Sequence, residues 1–246
     1  MAARSPLRAP TRNRIVNLPS RTAARLEREL ASEPSTVYIV DDDASVNEAL
    51  CMLVRSVGLA ARGFLNAQAF LACERGEGPS CLVLDVRLRG NSGLTLQDTL
   101  NAMGDPIPIV IITGHGDVPM SVRVMKAGAT DFLTKPFRDQ DFLDAIGVSL
   151  ERDGARLAQS RANHDVAARF RSMSQREREV MALAASGRMN KQIADELGIS
   201  EVTVKIHRGS AMRKMQARSF AELVILAHRL GVAEAGCERR VLASAS

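Results

Sequence analysis

The chain of 246 residues is long for one ordinary domain and suits two of about 100 to 150 residues; with 46% hydrophobic and 25% charged residues it is neither disordered nor fibrous. Aromatic residues make up only 3%, without Trp, so aliphatic side chains must fill the cores, which favours parallel sheets and helices over a β-sandwich. The formal charge of +5 suits an anionic partner, and the absence of any apolar run near the about 18 residues of a membrane span excludes a transmembrane helix.

Residues 1–34 carry seven Arg against three Glu with little hydrophobic periodicity, and read as a disordered basic extension. No apolar segment of the secretory kind follows these arginines, and the four cysteines lack metal-type spacing, so a reducing cytoplasm without disulfides is expected. Across residues 35–153, short β-type runs occur at Val37–Val40, Ala60–Phe64, Cys81–Leu84, Ile109–Ile112 and Asp131–Leu133. Amphipathic helical stretches at Ser45–Ser56, Ala67–Ala72, Thr95–Met103, Pro119–Ala127 and Asp139–Asp153 separate and follow them. This alternation predicts a five-stranded parallel sheet with helices on both faces, an α/β flavodoxin-like domain. The polar residues 154–171 read as a hinge or partly helical linker. Beyond them helices are predicted at Gln175–Ala185, Asn190–Leu197, Val202–Met215 and Phe220–Leu230. They form an all-α domain over residues 172–232, with Gly187 and Gly198 as C-cap residues. The tail 233–246 has no clear pattern.

The first strand ends in Asp41, Asp42 and Asp43, and the third ends in Asp85. Parallel strands point their carboxyl ends to one rim, so these carboxylates are expected to converge in one crevice. Their repulsion is relieved by a hard cation, and carboxylates with a backbone carbonyl and water make the oxygen shell that Mg²⁺ prefers. Thr113 ends the fourth strand and Lys135 follows the fifth, adding a hydroxyl and an ammonium to the same rim. Acidic nucleophile, metal, hydroxyl and cation together form a site for a phosphoryl group, whose transfer needs mainly charge neutralisation and positioning. Singly, Asp41 to Asp43 also fit a helix N-cap cluster and Lys135 a surface charge; four such residue types at four strand ends favour the site.

The segments IVDDD at Ile39–Asp43, LVLDVRLRGNSG at Leu82–Gly93 and IVIITGHGDVPMSVRVMKAGATDFLTKPF at Ile109–Phe137 resemble the CheY-like receiver domain of two-component response regulators, especially the FixJ/NarL group. The resemblance implies that Asp85 is the phosphoacceptor. It implies that Asp42, Asp85 and the backbone carbonyl of Arg87 hold Mg²⁺ (or Mn²⁺), with Asp41 in support. Thr113 then hydrogen-bonds the phosphoryl group, Lys135 neutralises it, and Phe132 is the aromatic switch that turns inward when the threonine moves. The Lys135–Pro136 peptide bond is expected to be cis. Arg89 departs from the family, which commonly has Pro there, and a more mobile loop is expected.

Between Ser172 and Gly231, ten Lys and Arg stand against six Asp and Glu, and Lys205, His207, Arg208, Arg213 and Lys214 share one predicted helix. Ile193, Ala194 and Leu197 face Val202, Val204 and Ile206 across a tight turn at Gly198, the pattern of a helix-turn-helix whose second helix suits a major groove. MSQRE at Met173–Glu177, NKQIADELGIS at Asn190–Ser200 and TVKIHR at Thr203–Arg208 resemble the tetrahelical LuxR-type DNA-binding domain. By that resemblance Thr203, Lys205, Ile206 and Arg208 contact DNA, and Asn190 and Lys191 reach phosphate. His207 reads as a packed or capping residue. Gly209 is a second departure, costing about 1 kcal/mol of helix stability relative to Ala.

Together the two resemblances imply a non-enzymatic cytoplasmic response regulator. A sensor histidine kinase phosphorylates it, and it forms a homodimer through the face built from Pro119–Ala127, Asp131–Leu133 and Asp139–Asp153. The dimer binds promoter DNA and activates transcription by RNA polymerase; the basic extension offers an additional DNA arm. A metal-dependent phosphohydrolase is disfavoured because its second Asp, two residues past the nucleophile, is Arg87 here. A DNA-binding regulator whose receiver works without phosphate is disfavoured by the completeness of the pocket.

Overall fold

A computed structural model describes residues 34–88, 92–114 and 118–232. The chain divides into two compact units after Gly154. The basic extension, Arg89, Cys237 and the tail lie outside the described residues, apart from Pro34 at the end of the extension.

In the first unit five strands, β1 (Thr36–Val40), β2 (Ala60–Phe64), β3 (Ser80–Asp85), β4 (Ile109–Thr113) and β5 (Asp131–Thr134), pair in parallel in the order β2-β1-β3-β4-β5. Helices α1 (Ala44–Ser56), α2 (Ala67–Leu71), α3 (Gly93–Ala102), α4 (Val118–Lys126) and α5 (Asp139–Arg171) follow the strands in turn. Successive side chains of a strand face opposite sides, and each side of this sheet is covered. Tyr38, Val40, Leu82, Leu84, Ile109 and Ile111 pack with Phe70, Leu96, Leu100 and Val124 from α2, α3 and α4. Val37, Ile39, Val83, Val110 and Ile112 pack with Leu50, Val54, Phe142 and Ile146 from α1 and α5. Burial on both faces is why the central strands read as unbroken aliphatic runs. Local chemistry sets the helix starts: the side chains of Asp43, Asn66 and Ser92 accept backbone N–H bonds from the first turns of α1, α2 and α3.

α5 corrects the sequence reading, which ended this helix at Asp153 and left the following residues as a hinge or partly helical linker. It continues unbroken to Arg171. A single Gly154 costs a helix only about 1 kcal/mol, and the Ala, Arg, Leu and Gln around it are strong helix formers. Near its end Val166 and Phe170 enter the core of the second unit. In the first unit the buried Asp153 carboxylate accepts the backbone N–H of Ser80 at 2.8 Å, tying α5 to the start of β3. Among the described residues, no helix is long and apolar enough to cross a membrane.

The second unit contains α6 (Gln175–Ala185), α7 (Asn190–Leu197), α8 (Glu201–Met215) and α9 (Phe220–Arg229). One side of α6 supplies Val180, Leu183 and Ala184 to a core with Ile193, Ala194 and Val204. Its other side packs Met181 and Ala185 against Ala211, Met215, Leu223 and Ala227. Gly198 closes α7 at φ 64°, the left-handed conformation that glycine adopts without steric cost, and two residues later the Ser200 hydroxyl caps α8.

α6 starts with a capping box in which Ser174 Oγ accepts from the Glu177 backbone N–H and Glu177 Oε2 accepts from that of Ser174. The same Glu177 oxygen accepts from Lys214 Nζ at 2.7 Å, so one buried carboxylate joins α6 to α8. The Lys214 ammonium and, after it, the Ser174 N–H hold the Glu177 carboxyl below its ordinary range against the opposing effect of burial. A carboxyl with a depressed folded-state pKa contributes stability above its unfolded pKa and loses it as pH falls through the folded value. Glu177→Gln is therefore expected to destabilise the protein by about 1–2 kcal/mol near neutrality. Urea unfolding from about pH 5 downward should show less acid sensitivity in the variant than in the wild type.

Candidate functional site

The carboxyl ends of β1, β3, β4 and β5 bring Asp41, Asp85, Thr113 and Lys135 to one rim. Asp41, Asp85 and Thr113 are buried, and Lys135 is partly so. Lys135 Nζ donates to Asp41 Oδ2 at 2.8 Å and to Asp85 Oδ2 at 2.9 Å. Burial opposes the ammonium charge, but the two carboxylates outweigh it and raise the Lys135 pKa above its ordinary value. One oxygen from each of Asp41, Asp42 and Asp85 lies within 4.8 Å of the others. Three hard oxygen donors at that spacing suit a divalent cation with an oxygen shell.

Backbone groups orient the carboxylates. Asp85 Oδ1 accepts the Arg87 N–H at 3.0 Å, and Asp41 Oδ1 accepts the Asp43 N–H at 2.9 Å. Asp43 itself is exposed and caps α1; the Ser45 hydroxyl and then the N–H groups of Val46 and Ser45 lower its pKa. The N-cap reading thus describes Asp43, while Asp41 and Asp85 meet at Lys135. Thr113 accepts the Lys135 backbone N–H through its carbonyl at 2.7 Å, and the Lys135–Pro136 bond is cis. Phe132 is half-buried, pairs with Ile111 across the sheet and packs on the aliphatic core.

Two supports were missed at the sequence level. Asn47, buried on α1, donates through Nδ2 to the carbonyls of Phe64 at 2.9 Å, Asp41 at 3.3 Å and Ile39 at 3.4 Å, fixing the backbone that carries Asp41. Gly93 sits so close to β3 that a Cβ there would stand 2.2 Å from the Asp85 carbonyl oxygen. A glycine closing the GNSG segment was the available signal; nothing in the periodicity marked Asn47.

In the second unit, Lys191, Lys205 and Ile206 are exposed, and the half-buried Thr203 shares a hydrogen bond with the Ser200 hydroxyl at 2.8 Å. Arg208 and Asn190 are engaged with each other: Arg208 Nη1 donates to Asn190 Oδ1 at 2.6 Å, and its guanidinium lies 4.2 Å from the centre of the Phe220 ring. That cation–π stack and hydrogen bond join α7, α8 and α9. His207 is half-buried. Of the three residues expected to face α7 across the turn only Val204 is buried there; Val202 and Ile206 are 67% and 61% exposed, and Val202 was absent from the predicted contacts.

Residues 37–147 match the family described as the response regulator receiver domain, and residues 171–227 match bacterial regulatory proteins of the luxR family. Nodulation protein W of Bradyrhizobium diazoefficiens is 50% identical over 202 residues, covering 82% of this chain and 89% of that protein. The transcriptional regulatory protein FixJ of Azorhizobium caulinodans is 44% identical over 203 residues, covering 82% of this chain and 96% of that protein. The solved structure of the response regulator StyR superposes with a TM-score of 0.72 at 49% identity, covering 80% of this chain and 100% of that chain.

The close approach at Gly93 has a direct consequence. Gly93→Ala is expected to cost about 1–3 kcal/mol, because the opposing atom is backbone and cannot swing aside. Urea unfolding measures the loss, and an unchanged midpoint would contradict the packing described.

Proposed function

The chain belongs to the bacterial response regulators that join a receiver domain to a LuxR-type DNA-binding domain, and we propose that the residues of its acidic rim operate the switch as follows. Residues 35–153 act as the receiver, 154–171 connect it, and 172–232 bind DNA. The observation that carries this reading is the pairing of Asp85 and Asp41 with one ammonium, Lys135.

A carboxylate oxygen of Asp85 attacks the phosphorus of a phosphohistidine on the sensor kinase. The P–N bond breaks, its electron pair leaves on nitrogen, which takes up a proton, and an acyl phosphate forms on Asp85. Asp42, Asp85 and the Arg87 carbonyl, with Asp41 in support, would hold Mg²⁺ or Mn²⁺, which when bound offsets the negative charge of the phosphoryl oxygens. Lys135 moves its ammonium from the carboxylate onto the new phosphoryl group, and the Thr113 hydroxyl donates to a second oxygen. Phe132, one strand over from Thr113, follows the threonine inward.

The face of α4, β5 and the first turns of α5 then joins two copies. The pair sets two α8 helices on a roughly palindromic promoter site about one DNA turn apart. Thr203, Lys205 and Ile206 meet base edges, and Lys191 meets phosphate. Arg208 and Asn190 hold the reading helix against its neighbours and offer their remaining donors to the DNA backbone. Bound in the cytoplasm beside RNA polymerase, the dimer activates transcription.

Incubation with acetyl phosphate and Mg²⁺ is expected to add one phosphoryl group, read by intact mass, and Asp85→Asn should lose it. An adduct retained in the variant would place the acceptor elsewhere. No adduct in either protein would favour a regulator that binds DNA without phosphate.

A further inference from the structure

α8 has two faces with opposite character. Val204, Ala211 and Met215 point into the core and are buried. On the outward side Val202 is 67% exposed and Ile206 61%, with exposed Lys205 beside them and Gly209 completing the stripe. Positions 202, 206 and 209 fall at the three- and four-residue spacings that share a helix face. Two β-branched aliphatics are poor choices for a solvated helix surface, since they weaken the helix and expose apolar area. Gly209 is also unexplained by the fold: its φ is not positive, and a Cβ built there meets no atom within 4 Å. Nothing among the described residues asks for a residue without a side chain.

Resting on the reading that α8 enters the major groove, we propose that Val202 and Ile206 read thymine C5-methyl groups and that Gly209 is where the helix backbone lies closest to the DNA. The thymine methyl is the apolar feature of the major groove, and aliphatic side chains are its natural contacts. Lys205, between the two aliphatics, is the hydrogen-bond donor of the stripe and matches the paired acceptors of guanine. The half-site therefore contains a guanine flanked by thymines. Gly209, about 10 Å along the helix axis from Val202, lets the far end of the stripe settle against the duplex wall.

The test uses the full chain treated with acetyl phosphate and Mg²⁺. Duplexes are first selected from a randomised pool, and the best is remade with deoxyuridine for thymidine, which removes only the methyl. Affinity is expected to fall about fourfold for each contacted methyl. Val202→Ser and Ile206→Ser should bind the thymidine duplex more weakly and lose sensitivity to the replacement at one position each. Equal affinity for the two duplexes overturns methyl readout while leaving DNA binding intact. Failure to enrich any duplex brings down the DNA-binding reading itself, and this proposal with it. Gly209→Ala should raise the thermal midpoint and lower DNA affinity; an affinity that rises or holds with the midpoint overturns the close approach.

Discussion

One ammonium permits the acidic rim to exist. Asp41 and Asp85 are 1% and 8% exposed, and two carboxylates so nearly stripped of water repel each other unless a cation lies between them. Lys135 supplies it from the end of β5, across the intervening β4. Desolvation of the three groups is unfavourable and charge pairing offsets it, so the geometry is tight and each partner depends on the others. In the proposed switch, a phosphoryl group on Asp85 would compete for the same ammonium, so the contact that stabilises the resting rim is the one it would rearrange.

The second unit gives α8 one fastened side and one exposed side. Glu177 with Lys214 and Arg208 with Asn190 and Phe220 fasten α8 to its neighbours, leaving Val202, Lys205 and Ile206 on the outward face. The four-helix frame is small, and charged groups with partly buried stems supply contacts that its aliphatic core is too limited to provide. The consequence is that the orientation of α8 is set before any partner arrives, which limits the ordering cost of binding.

Much of this was legible in the sequence because its signals are local. A buried strand is a run of aliphatics, and the first polar residue after it marks the rim, which is how Asp41, Asp85 and Thr113 could be placed; Lys135 lies just past the end of the less buried β5. The bounds of α6 and α7 match the predicted ones to the residue, with Gly187 and Gly198 just past their ends. The rest depends on contacts that leave no period. α5 beyond Asp153 carries no continuous apolar stripe, so its helical run looked like a linker. Asn47 and Gly93 act on backbone atoms distant in sequence, and the Arg208 stack joins residues brought together only by folding.

The tie between Asp153 and Ser80 gives β3 an unusual status. At its start the strand hangs from a buried carboxylate of α5, and at its end it carries the carboxylate held by Lys135. From Ser80 to Asp85 the strand counts six residues, whose five steps span about 17 Å at the usual rise of a strand. β3 thus works as a ruler clamped at both ends: a slip of one residue would release both clamps and turn every side chain to the wrong face. The position of Asp85 is measured out from the opposite end of its strand.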